Sequence, residues 1–542
     1  MSLAWSEHLV VAPVLVPLLC GALQVSVRHN RHWLKFGLSA ASVACTFFVS
    51  IILLALIDGG QWNAGVGVYL AANWSAPFGI ALLADRLAAL MLLLTALLAA
   101  SALVYSMLRW SRVGVHFHPL FQFLIMGING AFLTHDLFNL FVFFEVMLAA
   151  SYGLLLHGYN VSRLRAGMHY IAVNLVASLL FLIGVALIYA STGTLNMADL
   201  AGRVAHAGPT DLALLKVGVT VLAIAFLIKS AMWPLGFWLP PTYDAASPPV
   251  TVMLVLMTKV GVYAILRIWL LVFPDGAGAA AGFGVEALLW GGMATMVYGA
   301  AGMLASESPG RMAGYGAMIS SGTVLSVIGY GQPSLITPGL YYMLGSTMAM
   351  AAFVMLIELI ERIRTPGAAL LAVTMEAFAI EDAPDPPVGV GIPAALAFLG
   401  LSYASCALII AGLPPFSGFV AKFGLIHVLL NPEASASGPT PLGWALVVLI
   451  VLSGLATILS MLRFGVRTFW SAGPVLPPPL QATEVAPIGL LLLACIAMTV
   501  QAQPIFSHLS RTAGDLHVPG QYVERVRAAP AVPGPATPGG EK

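Results

Sequence analysis

The chain has 542 residues, 60% of them hydrophobic and only 8% charged, with a net charge of +1 and a mean hydropathy of +0.94. A soluble domain carries about 25% charged residues, so a fully water-facing surface is excluded, and the near-zero net charge gives no basic patch for nucleic acid. Lipid demands that every backbone polar group find a partner within the protein, which leaves helix bundles or closed barrels; the apolar runs, about 20 residues long and without two-residue alternation, select helices.

In chain order, about fourteen spans are expected, with cores at 9–27, 34–57, 86–108, 114–133, 137–157, 168–190, 217–239, 250–273, 285–305, 312–330, 338–360, 393–430 (interrupted), 443–462 and 487–503. The first run has neither a basic leader nor a small-residue cleavage site, so it reads as a retained helix. Basic residues cluster in the odd-numbered connections: Arg28, Arg31, Lys35, Arg109, Arg112, Arg163, Arg165, Arg311, Arg362, Arg364, Arg463 and Arg467. The even connections hold little beyond Arg203, with Lys216 opening the next span. The positive-inside rule then makes the odd connections cytoplasmic and both termini extracytoplasmic. Residues 1–505 are thus expected to form a transmembrane domain. Residues 363–392, with the acidic and proline-bearing stretch Glu381–Pro387, are expected to form a cytoplasmic loop. Residues 506–542, ending in a Pro/Gly/Ala-rich run, are expected to be an extracytoplasmic, disordered tail.

Four ionisable residues interrupt the apolar spans. At mid-bilayer each costs about 2.5–3.5 kcal/mol on insertion scales, which makes each a functional candidate. Glu145 is the ninth of the 21 residues of 137–157. Lys229 is the thirteenth of the 23 residues of 217–239, with Pro234 five residues on; proline removes a helical hydrogen bond and frees a carbonyl. Lys259 lies in 250–273 with Tyr263 on the same face at i+4. Lys422 belongs to 393–430, a run of 38 residues. As one helix that run would measure about 57 Å, against a hydrocarbon core of about 30 Å. Gly412-Leu413-Pro414-Pro415-Phe416-Ser417-Gly418 must break it, one turn before Lys422. Two spans broken by proline, each with a lysine beside the break, point to an inverted-repeat transporter and its ion path. Burial lowers the proton affinity of a lysine and a nearby carboxylate raises it, so a Glu–Lys pair that forms and separates can move protons. For Glu145 and Lys259 the competing reading is structural: a carboxyl bonded to a neighbouring helix, and a lysine neutralising an internal carboxylate. Asp136, beside His135 at a membrane boundary, is a candidate point for protons to enter or leave, or equally a helix N-cap.

Other chemistries have no pattern to stand on. Cys20, Cys45, Cys406 and Cys495 sit in apolar runs without a CxxC spacing and read as small buried hydrophobes. The histidines are scattered and no glycine-rich loop has a phosphate-binding pattern, so no metal and no cofactor is expected.

The motifs resemble a known family. His135-Asp136-Leu137-Phe138-Asn139-Leu140-Phe141-Val142-Phe143-Phe144-Glu145-Val146-Met147 is similar to the fifth-helix signature of the antiporter-like subunits shared by respiratory complex I and the Mrp/Pha multisubunit cation/proton antiporters. Lys229–Pro234 with Phe237–Pro240 resembles their broken seventh helix, Ser247–Leu254 running on to Thr258–Tyr263 their eighth, and Gly412–Phe419 with Lys422 their broken twelfth. The stretches Asn174–Gly184 and Thr192–Leu200 look most like the D-type branch of the Mrp/Pha systems. The resemblance covers roughly spans three to thirteen. It implies an all-α membrane fold of about fourteen helices with two inverted five-helix repeats, near 114–273 and 285–462, and broken helices seven and twelve. It also implies a polar axis through Glu145, Lys229, Lys259 and Lys422, and work within a hetero-oligomer in the bacterial inner membrane, in contact with lipid, protons and K+ or Na+. The alternative is a proton-pumping subunit of a redox-driven complex. One departure is visible: many relatives carry histidine or lysine in the eleventh helix, where this chain reads Tyr341–Met350, and water held by Ser346 and Thr347 would have to bridge there.

Overall fold

Apolar runs become helices here because a helix closes its own hydrogen bonds without water. The computed structural model describes residues 5–362, 394–431, 438–469 and 480–529, apart from positions 29, 63, 64, 72, 113, 115, 159 and 519. After a short N-terminal turn of helix come α1 (Ala12–Ser26), α2 (His32–Asp58), α3 (Arg86–Ser106), α4 (Phe117–Leu133), α5 (Leu137–Leu155), α6 (Val161–Thr192) and α7 (Met197–Val204). The chain continues with α8 (Pro209–Lys229), α9 (Leu239–Ala245), α10 (Pro248–Val272), α11 (Val285–Ala305), α12 (Pro309–Tyr330), α13 (Pro333–Glu361) and α14 (Ala394–Ala411). The last are α15 (Ser417–Leu430), α16 (Pro441–Phe469), α17 (Ala482–Val500), α18 (Ala502–His517) and α19 (Gly520–Arg527). Among the described residues twelve helices are long and apolar enough to cross a membrane, and α1, α4 and α15 are shorter apolar helices.

Every expected span has its helix, and both expected breaks occur, between α8 and α9 and between α14 and α15. In each run of five spans, the fourth to eighth and the ninth to thirteenth, the fourth member is the broken one. Helix α10 lies at the centre: from Pro249 to Trp269 it is buried without interruption, packed against α3, α8, α12 and α13. The outer helices show the reverse pattern of a soluble protein. On α6, Leu175, Leu179 and Ile183 are exposed, whereas Tyr170, Asn174, Ala177, Ser178 and Phe181 are buried, so the polar side chains in the middle of this helix, Asn174 and Ser178, point inward.

A two-stranded antiparallel hairpin, β1 (Gly67–Leu70) with β2 (Ala81–Ala84) in the register Gly67↔Ala84, joins α2 to α3. The structure departs from the sequence reading in two places. The expected disordered tail from residue 506 is instead helical through Arg527. Helix α18 buries Leu509, Thr512, Ala513 and Leu516 and places Asp515 against Arg86, and Arg527 on α19 meets Asp199 at 3.0 Å. Such an amphipathic stripe buries apolar surface that a disordered segment could not. Of the four cysteines, Cys45 is exposed on α2 and the other three are buried. The expected loop 363–392 and the stretch 530–542 lie outside the described residues.

Candidate functional site: a polar axis across the bundle

Residues four apart share a face of a helix, and on α6 that places Tyr170, Asn174 and Ser178 in one row facing inward. Glu145, half-buried at the middle of α5, accepts a hydrogen bond from the Ser178 hydroxyl. Lys229, the last residue of α8, donates from Nζ to Asn174 Oδ1 at 2.7 Å and stands 5.8 Å from the centroid of the Tyr170 ring. Glu145 and Lys229 are therefore each held by a neutral partner, and the two partners, Ser178 and Asn174, lie one turn apart on α6.

The break that ends α8 at Lys229 is held by specific groups. Ala231 adopts φ +57°, a left-handed conformation that costs a residue with a Cβ about 1–2 kcal/mol. The Trp238 indole donates to Ile228 O at 3.1 Å, and Trp233 N–H donates to Thr295 Oγ1 at 2.9 Å. The Ile228 carbonyl, which also accepts from Ala231 N–H at 3.2 Å, is thus doubly engaged at the turn, and Pro234 sits beyond it. Gly261 on α10 meets this turn without a side chain; a Cβ there would lie 2.9 Å from Lys229 Cβ.

Lys259, on α10, donates to Ser320 Oγ at 2.9 Å and Ser321 Oγ at 3.2 Å, both on α12. Ser320 Oγ is 2.8 Å from Ser346 Oγ on α13. A chain of hydroxyls thus carries Lys259 from the first set of five spans into the second. Ser346 joins this chain by its own hydroxyl, whereas Thr347 donates to Met343 O at 2.5 Å. Beyond Ser346, the Ser417 hydroxyl is buried against Gly345 and beside Cys495. Lys422, on α15, donates to Ala411 O at 2.8 Å. That carbonyl is one the Gly412–Pro415 break leaves outside the helical ladder, so the freed carbonyl expected beside Lys229 is found beside Lys422.

His135 and Asp136 separate. Asp136 caps α5, accepting from Asn139 N–H at 2.8 Å, and burial raises its carboxyl above the ordinary range despite that bond. His135 is fully buried, its ring 5.2 Å from Tyr522 of α19; burial, aided by the Arg267 charge, pushes its pKa down to about 3 and keeps it neutral. Close by is a bidentate pair that sequence reasoning missed. Arg267 of α10 binds Asp85 through Nη1–Oδ2 at 2.5 Å and Nη2–Oδ1 at 2.7 Å. Burial works against the Asp85 carboxylate, but Arg267 outweighs it and holds the group below the usual range. Arg267 also donates to Tyr263 OH at 3.2 Å, so Lys259, Tyr263 and Arg267 form a polar row down α10. The signal available was a second basic residue two turns from Lys259 in the same span. A cleft of about 330 Å³ opens beside the pair, lined in part by Asp515 and Tyr522.

At the opposite end, Glu358 on α13 accepts from Tyr105 at 3.0 Å, Trp110 at 3.0 Å and Arg109 at 3.2 Å, and Arg362 bridges it to Glu484 at 2.7 Å. Arg109, Arg163 and Glu358 share one cleft, so three of the predicted odd connections reach the same face. Among the described residues no three His, Cys, Asp or Glu are grouped to hold a metal ion.

A helical membrane bundle with two broken spans and a line of buried charges from one half to the other is the architecture of an antiporter-like membrane subunit. The family described as NADH:quinone oxidoreductase/Mrp antiporter, transmembrane, matches residues 134–380. A protein of Rhizobium meliloti (strain 1021), named as the probable D subunit of a K(+)/H(+) antiporter, is 50% identical over 531 residues, covering 97% of this chain and 98% of its own. The D subunit of the Na(+)/H(+) antiporter of Bacillus subtilis (strain 168) is 31% identical over 526 residues, covering 96% and 99%. A chain of the Mrp complex from Dietzia sp. DQ12-45-1b superposes with a TM-score of 0.80 at 27% identity, covering 97% of this chain and 100% of that one. The chain belongs to the family of Mrp antiporter D subunits.

Proposed function

We propose that the chain is the D-type, proton-translocating subunit of a multisubunit monovalent cation (K+ or Na+)/proton antiporter. In this reading Glu145, Lys229, Lys259 and Lys422 hand protons along the membrane plane. The observation that carries it is the hydroxyl chain Lys259–Ser320–Ser346, which joins the two halves where relatives use histidine or lysine. Each lysine ends on a neutral acceptor, so each can lose a proton without stranding a counter-charge. Asn174 and Ser178, one turn apart, let Lys229 and Glu145 approach by a rotamer change, which is the switch the relay needs. Ser417 stands where it can carry the step from Ser346 toward Lys422.

The partners are the other subunits of the complex, set in the bacterial cell membrane with protons and K+ or Na+ as cargo. The face carrying Arg109, Arg163 and Arg362 is cytoplasmic, and the termini, including α18 and α19, are extracytoplasmic. On that side Asp136, half-buried at the boundary with its carboxyl raised by burial, is the better point for protons to enter or leave, since buried His135 is kept neutral.

The test is exchange in everted vesicles from an antiporter-deficient host expressing the chain with its neighbouring subunits. Addition of K+ or Na+ should collapse an imposed pH gradient, and Glu145→Ala or Lys229→Ala should abolish this at unchanged membrane levels. Absence of cation-dependent exchange, together with co-purification of redox subunits, would instead make the chain a pumping component of a redox-driven complex.

A further inference from the structure

The connection between α1 and α2 takes no part in the relay, yet its charges are not neutralised. Arg28 follows α1 and Arg31 immediately precedes α2, both exposed, and Lys35 is buried one turn further along α2. Residues 1–135 contain three carboxylates, and all belong to the opposite ends of these helices: Glu7 precedes α1, Asp58 closes α2 and Asp85 caps α3. Among the described residues no carboxylate pairs with Arg28, Arg31 or Lys35. Other arginines at this end of the bundle are neutralised. Arg109 meets Glu358 at 3.2 Å, Arg362 meets Glu484 at 2.7 Å, Arg311 meets Asp244 at 3.6 Å and Arg467 meets Glu307 at 3.9 Å. The helices that flank the two free arginines are fixed to each other. Gln24 of α1 donates to Lys35 O at 3.0 Å and to Ser39 Oγ at 2.9 Å, and Ser39 Oγ is 3.1 Å from His118 Nδ1 of α4.

The same edge presents an apolar strip. On α1, Leu15, Leu19 and Leu23 follow one another at four-residue spacing and are exposed, and on α2 Trp33 and Leu34 are exposed beside Arg31. A strip of this kind lies against acyl chains, and a tryptophan at its end marks the level of the lipid headgroups. The two guanidinium groups therefore stand at headgroup depth without a counter-charge. Each is a planar fork that fits two oxygens of a phosphodiester. A zwitterionic lipid brings its own cation and leaves the positive excess in place, whereas a lipid of net negative charge cancels it. We propose that this edge is a binding site for an anionic phospholipid, with Arg28 and Arg31 on its phosphate and Leu19, Leu23 and Trp33 along its glycerol and acyl groups. Lys35 adds a third positive charge behind the two arginines. The inference goes beyond the transport reading and does not depend on it.

The test uses the assembled complex in detergent, with dioleoyl phosphatidylglycerol or dioleoyl phosphatidylcholine added at the same mole ratio. Phosphatidylglycerol should raise the melting temperature by several degrees and phosphatidylcholine should not. The double variant Arg28→Gln/Arg31→Gln, which changes exposed side chains only, should lose most of that rise. Arg467→Gln, whose arginine is already paired, should keep it. Equal effects of the two lipids, a full rise in the double variant or an equal loss in Arg467→Gln would overturn the proposal. So would an equal rise with inorganic phosphate, which marks a site for free anions, or loss of a co-purifying subunit from the double variant, which marks a protein interface.

Discussion

At the scale of single residues, the charges legible in the sequence are those that break an apolar run near its middle: Glu145, Lys229, Lys259 and Lys422 each stand out against hydropathy alone. Their partners do not. Asn174, Ser178 and Ser320 disturb an apolar span little, and which of a helix's hydroxyls face inward depends on packing the sequence does not state. His135 shows the same limit, since its neighbour Tyr522 is nearly 400 positions away and comes from a segment read as disordered. Its burial has a measurable consequence. The folded-state pKa of about 3 lies below the ordinary 6.5, so the unfolded chain binds a proton that the native site refuses. The stability contributed by keeping this imidazole neutral is complete above about pH 6.5 and is lost as pH falls from there toward 3, by about 1.4 kcal/mol per pH unit. The melting temperature of the purified complex should drop between pH 7.5 and pH 5, and His135→Asn should flatten that slope; an equal slope in the variant would contradict the assignment.

At the scale of elements, the two breaks were legible because proline and glycine leave no alternative in a run too long or too interrupted for one helix. What the sequence does not disclose is how differently the two breaks serve their lysines. Lys229 precedes its break and looks away from it, toward α6; Lys422 follows its break and bonds the carbonyl of Ala411. Gly412 makes the second arrangement possible. It takes φ +80°, and a Cβ there would fall 2.4 Å from the Cδ of Lys422. Gly412→Ala should therefore act twice, through a backbone cost of about 1–2 kcal/mol and by displacing the lysine. Proton exchange should fall by more than tenfold while the protein still reaches the membrane. Ordinary exchange in that variant would mean that the Lys422–Ala411 contact is dispensable.

At the scale of the whole molecule, hydropathy and the alternation of basic residues were enough to place every span, because lipid imposes one rule on the entire chain. The C-terminal helices escaped that rule. They are amphipathic and lie against the bundle, so they read as polar sequence. Arg86 gathers Asp58 from α2 and Asp515 from α18, and Arg527 reaches Asp199 on α7. Deleting residues from 502 onward should remove these contacts, uncover the Asp85–Arg267 pair and lower the melting temperature of the complex by several degrees; an unchanged value would show that the helices add nothing to stability. The pair itself has a further consequence, for the history of the two positions. Removing one partner of a buried ion pair costs about 3–5 kcal/mol, whereas replacing both with apolar residues is often neutral. Positions 85 and 267 thus sit on either side of a fitness valley: each substitution is damaging by itself and tolerable only in the company of the other. Lineages that leave this arrangement must do so by a paired change, or through an intermediate already stabilised elsewhere in the fold.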